Sequence, residues 1–153
     1  MPKNPIEDLI NKGRIPEAVD AVKEALASDP TQVPSAEELN SLCWFGCLLG
    51  QASTVRFAGE RAVNLVPANA NYWDTRGLAR ALTGAPVEDV ISDFQIFLAW
   101  SDRDEEINKM RREWITALRS GQNPEQVFTA EVIEELKLQT PNGPWKLTEK
   151  SAR

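Results

Sequence analysis

A chain of 153 residues with 17 basic and 23 acidic side chains and a formal charge of −6 is long enough for one domain with a real core. Its charge has the wrong sign for holding a phosphate backbone, which draws affinity from clustered lysines and arginines, so neither nucleic acid nor an anionic membrane is an expected partner. Histidine is absent altogether, which excludes Ser-His-Asp and Cys-His nucleophile pairs and removes the commonest metal ligand.

In chain order, Asn4 followed by Pro5 starts a first helix carrying Ile6, Leu9 and Ile10. After Gly13 comes a second, with Ile15, Ala18, Val19, Val22 and Leu26 at steps of three and four, closed by the run Ser28 to Pro30. Ser35 with Glu38 three residues on forms a capping box that opens a third helix, marked by Leu39, Leu42, Phe45 and Leu49. Gly50 turns the chain into a fourth, with Val55, Ala58, Ala62 and Val63, which stops before Pro67. Trp73, Leu78, Ala81 and Leu82 mark a fifth, and beyond Gly84 a sixth carries Val87, Val90, Ile91, Phe94 and Leu98. The stretch NYWDTRGLARALTG, Asn71 to Gly84, has neither the Gly-Lys-Ser/Thr ending of a phosphate loop nor the alternating strands of a propeller blade. Trp73 and Gly77 are expected to bring two helices close together, with Arg76 and Arg80 solvated or salt-bridged.

Gly13, Gly50 and Gly84 recur at intervals of 37 and 34 residues, so the unit is helix, glycine turn, helix. Such a pair exposes an apolar flank that only a stacked neighbour can bury. From about Pro5 to Trp100 the chain resembles two and a half to three tetratricopeptide (TPR) repeats. Trp73, Gly77, Gly84, Val90, Phe94 and Phe97 fill the family's positions in the third unit. Leu39, Cys43, Gly50, Val55, Gly59, Ala62 and Pro67 fill them in the second, and Gly13, Ala18, Val22, Ala25 and Pro30 in the first. The first unit's opening helix is truncated, while the third has an extra turn residue, no closing proline, and unusually large Val90 and Phe97. The phrases LCWFG, GLARALTG and RREWITALRSGQNP are also similar to a module of bacterial, especially cyanobacterial, signalling proteins, where it lies C-terminal to sensor or effector domains. That resemblance implies an accessory role.

Past Ser101 the repeat pattern ends. Ile107, Met110, Trp114, Ile115 and Leu118 share one face of a seventh helix that Gly121 stops, and FTAEVIEEL adds a short eighth after Thr129. The expected fold is therefore all-α: TPR-like hairpins forming an α-solenoid over residues 1–100, capping helices over 101–139, and a loose tail over 140–153 in which Trp145 is an anchor or a docking peptide.

The expected function is a non-catalytic protein-binding module, a scaffold or adaptor. The repeat resemblance implies that its concave, first-helix side meets the partner through Glu37, Asn40, Trp44, Leu48, Asn71, Asp74 and Leu78. These positions hold no lysine or arginine, so the expected partner segment is basic or neutral and amphipathic, and no clamp for a terminal carboxylate is expected. Replacing Asn40 and Asp74 with lysine is expected to abolish capture without changing thermal stability. Self-association through the repeat flank or terminal helices is the alternative, and a small helical enzyme or ligand-binding domain built on a carboxylate cluster is a third. Cys43 and Cys47, four apart on one helix face, are expected to be buried apolar groups, and no cofactor or metal is expected. The longest apolar run, LCWFGCLLG, is too short to cross a bilayer and MPKNPIED has no apolar core of a signal peptide, so a cytoplasmic location is expected.

Overall fold

Every regular element of the computed structural model is a helix, and there is no strand among the residues it describes, 5–28, 31 and 33–145. The helices are α1 (Pro5–Asn11), α2 (Ile15–Ser28), α3 (Ala36–Leu48), α4 (Ala52–Leu65), α5 (Ala70–Leu82), α6 (Val87–Trp100), α7 (Glu105–Arg119), α8 (Pro124–Val127) and α9 (Ala130–Leu138). Asn4 and Pro30, read above as a helix start and a helix stop, lie outside the described residues.

Local chemistry sets the boundaries. Ser35 Oγ accepts from the Glu38 N–H at 3.1 Å and Glu38 Oε1 accepts from the Ser35 N–H at 3.2 Å, a closed capping box at the start of α3. Thr129 caps α9 through the Val132 N–H. The turns α1–α2, α3–α4 and α5–α6 pass through Gly13, Gly50 and Gly84 at φ of 74°, 80° and 78°, the left-handed region that L side chains disfavour. One turn geometry thus serves three times.

Each helix packs on its hairpin partner, and the hairpins pack on one another: α3 contacts α1, α2 and α5, and α4 contacts α2 and α5. The core runs through these contacts, with Val22, Leu39, Leu42, Val55, Leu78, Val90 and Phe94 almost wholly enclosed. Close approach is built in at Gly77, where an added Cβ would lie 2.9 Å from Phe94 Cε1 and 3.2 Å from Asp93 Cβ. The expectation for Gly77 is met in geometry. α7 covers α6, and its Trp114 meets Phe94 at a tilt (5.2 Å between centroids) and Phe128 edge-on (4.9 Å).

Two expectations change. An additional helix, α8, stands between Gly121 and Thr129, where no element was expected, started by Asn123 with Pro124 at its first position and closed by a second capping box with Gln126. The tail is not loose up to residue 145. Trp44 Nε1 donates to Thr140 Oγ1 (3.0 Å), Trp145 Nε1 donates to the Lys137 carbonyl (3.1 Å), and Trp145 meets Phe45 edge-on at 5.6 Å. Pro144 lies so near the first turn that a Cβ on Gly13 would be 3.0 Å from its own Cβ. Residues 139–145 therefore fold back from α9 across α3 to the α1–α2 turn. Residues 146–153 lie outside the described part.

Candidate functional site

The positions named for partner contact separate into three environments. Asn40 and Trp44 of α3 and Asn71 and Asp74 of α5 line one cavity of about 300 Å³. Glu37 is exposed at a different, smaller cleft between α1 and α3, beside Ser41. Leu48 and Leu78 offer no surface, at 2% and 0% exposure. Leu48 borders an apolar cleft shared with Ile133 of α9. α9 and the segment after it lie over α3, and α8 lies against α5, so much of the first-helix side is covered by the chain itself.

Thr75 of α5 also lines the cavity of Asn40 and Trp44, and the rest of its wall comes from the C-terminal part: Arg103, Arg111, Gln139 and the Thr140–Asn142 run. The positions named for partner contact themselves hold no lysine or arginine, but α7 delivers Arg111 to the same cavity from outside the three hairpins. Arg111 Nε donates to Asp74 Oδ1 at 2.9 Å and Nη2 to Oδ2 at 2.7 Å, a bidentate pair whose side chains are 3% and 6% exposed. The guanidinium carbon lies 4.6 Å from the Trp114 ring, 5.6 Å from Phe97 and 5.9 Å from Trp44, an aromatic cage that suits a weakly hydrated planar cation. Asp74 is a buried structural partner, so lysine there would set two cations together in the core. The expected stability of an Asn40 and Asp74 double lysine change is corrected on that ground.

Asn40 Oδ1 in α3 and Gln139 Oε1 in the segment after α9 are buried and have no hydrogen-bond partner among the described residues, and both residues border this cavity. Nothing in the sequence pattern marked Gln139. Arg111 could have been found, since it stands four residues after Ile107 and four before Ile115, on the face that Trp114 and Leu118 also mark.

A second charged cluster joins α4, α5 and α6. Arg76 donates from Nε and Nη2 to both oxygens of Asp93 (3.1 and 2.8 Å), and Arg80 donates to both oxygens of Glu60 (3.0 and 3.1 Å) and reaches Asp93 as well. Arg76 also lies over the Trp73 ring at 4.6 Å. Arg76 and Arg80 are thus salt-bridged, one of the two outcomes expected of them. Burial raises the pKa of Asp93, and the hydrogen bonds and charges of Arg76 and Arg80 offset that rise only in part. Burial also acts on Glu60, but Arg80, Arg76 and Arg56 outweigh it and hold this carboxyl below its ordinary value.

Cys43 and Cys47 are free and buried. The hydrogen bond that Cys47 shares with Cys43, together with burial, pushes the Cys47 thiol well above its ordinary pKa, which leaves little nucleophilic thiolate. Among the described residues no three His, Cys, Asp or Glu side chains come together as a metal site, and no helix is long and apolar enough to cross a membrane. Models of protein families, curated proteins and solved structures give no significant match to this chain.

Proposed function

We propose that this chain is a non-catalytic protein-interaction module, a short α-solenoid of TPR-like hairpins that binds a partner segment on its first-helix side and acts in the cytoplasm as a scaffold or adaptor. The observation that carries this reading is the cavity: Asn40, Trp44, Asn71 and Asp74, from the first helices of two successive hairpins, converge on one polar recess that the covering segments leave unfilled. Helical hairpins of this kind recognise partners through just such convergent positions. With Asp74 neutralised by Arg111 and Glu37 facing elsewhere, the recess suits a neutral segment better than a strongly charged one.

Affinity capture with the folded protein tests the reading when Asn71→Arg is run alongside it. Asn71 is half-buried at the start of α5 and its side chain makes no hydrogen bond among the described residues, so the change fills the recess while leaving the fold intact. A protein retained stoichiometrically by the original and lost with the variant is the expected result; an identical captured set refutes it. Self-association is the second reading, favoured by Trp100 at the end of α6, which is 57% exposed. Light scattering over a range of concentrations, with Trp100→Glu as control, decides it.

A further inference from the structure

At the glycine-turn end of the stack two clefts run into each other. One, of about 480 Å³, lies between the α3–α4 turn at Gly50 and α9, and the other, of about 500 Å³, between the α5–α6 turn at Gly84 and the α8–α9 segment. Leu82 of α5 and Ala130 of α9 border both, so the two make one trough. A Cβ added to Gly50 or Gly84 would meet nothing within 4 Å, which shows how much room the turns leave there. Leu82, Pro124 and Ile133 are only half-buried along the trough, and Ala130 is exposed. Apolar groups gathered beside open volume are a seat for other apolar groups.

Charge narrows the occupant. The lining includes two exposed carboxylates, Glu125 and Glu134, and no lysine or arginine. From Gln122 to Leu136 the chain adds Glu131 and Glu135 and no basic residue. Lys137 reaches Glu134 at 3.0 Å, but that carboxylate is 69% exposed, and pairs so open to water contribute little. Arg56 donates to Thr83 of the wall at 3.0 Å and is held by Glu60. A second copy paired through the same face would set these acids against themselves, and an anionic lipid surface would be repelled likewise. We propose that the trough is a docking site for a basic amphipathic helix of a partner protein, its apolar side chains on Leu82, Ala130 and Ile133 and its cations at Glu125 and Glu134. Such a helix presents apolar anchors at steps of three and four with lysine or arginine beside them, which matches an apolar strip accompanied by acids. The trough shares no lining residue with the recess on the first-helix side and is independent of it.

The test titrates the full chain into a labelled helical peptide of leucine and lysine, read by fluorescence anisotropy at about 0.15 M salt, where long-range attraction is screened. Two controls accompany it: a leucine and glutamate counterpart, and a peptide of the same leucine and lysine content ordered so that no apolar face forms. Saturation one-to-one by the basic amphipathic peptide alone is expected. Ala130→Phe fills the junction of the two clefts without altering charge, and Glu134→Lys reverses one of the acids; each is expected to weaken binding at least tenfold. Both residues are exposed, so either variant serves where the other fails to fold. Glu113→Lys, on the exposed side of α7, makes the same change of net charge away from both clefts and is expected to alter affinity less than twofold. Absence of saturation overturns the proposal, as do equal saturation by either control peptide, equal weakening by Glu113→Lys, and undiminished binding by both trough variants. Asn71→Arg, which fills the first-helix recess, is expected to leave the affinity unchanged. Binding lost with Asn71→Arg and kept with the trough variants would move the peptide to the recess, overturning this inference and leaving the module reading standing.

Discussion

Asp74→Ala should be among the most damaging single changes in this protein, although nothing in the residue's helix register says so. The substitution deletes both acceptors of a guanidinium whose side chain is 3% exposed and whose other neighbours are aromatic rings and the Met110 sulfur. Water from the adjoining cavity is a weaker partner for the buried charge than the carboxylate it would replace. Breaking a buried pair by removing one partner destabilises by about 3 to 5 kcal/mol, because a charge is left buried and uncompensated. For a chain of this length that corresponds to a fall in melting temperature of roughly 6 to 20 °C. Replacing the pair together, Asp74→Leu with Arg111→Met, should restore most of the loss, since a buried ion pair and a well-packed apolar pair of similar volume differ by only about 1 to 4 kcal/mol, often in favour of the latter. Urea unfolding followed by tryptophan fluorescence, run on the original, both single variants and the double variant, gives the coupling directly. Single changes each costing under about 1 kcal/mol, or a double variant whose loss equals the sum of the singles, would show that Arg111 reaches water and that the pair is a surface contact.

Gly77→Ala should cost about 1 to 3 kcal/mol through overpacking, because its new Cβ would stand 2.9 Å from Phe94; an unchanged urea midpoint would place the α5–α6 approach elsewhere. The two carboxylates of the α4–α6 cluster should oppose each other in acid. Glu60, with its pKa held low, contributes stability above its ordinary value that is lost as pH falls through the folded one, whereas Asp93, with its pKa raised, contributes stability at low pH that is lost as pH rises through the folded value. Between about pH 3 and 6, Glu60→Gln should therefore flatten the rise of stability with pH and Asp93→Asn should steepen it, and unfolding curves showing the reverse order would refute the assignment. Cys43 and Cys47 should react with a thiol reagent only as fast as the chain unfolds, since both are buried and the Cys47 thiol resists ionisation; labelling faster than unfolding, in native buffer, would mean that α3 opens locally.

Periodicity exposed the helices because each buries a stripe, and the turn glycines exposed the hairpins because each needs the same positive φ. The element that escaped, α8, is four residues long, too short to display a period, yet Asn123, Pro124 and Gln126 had written its capping box into the sequence. At the site, the repeat register placed Asn40, Trp44, Asn71 and Asp74 on one side of α3 and α5, and the structure gathers them around one recess. It could not foresee what covers that side. Register within a repeat says nothing of a segment arriving from α7 or from beyond α9, so Leu48 and Leu78 look available in the sequence and are enclosed in the fold. The one advance sign was Arg111, a cation in an apolar stripe, which obliges some distant carboxylate to come and meet it.

The return of residues 139–145 to the first turn changes what kind of stack this is. In an open array each unit senses only its neighbours, so an end can fray or a unit be added without consequence for the rest. Here Pro144 rests at Gly13 and Trp145 on Phe45, which ties the last part of the described chain to the first two hairpins and closes a circuit through nearly its full length. Peeling away either end loosens the other. Such contacts between residues remote in sequence slow folding and make melting more nearly all-or-none than a row of local hairpins would be.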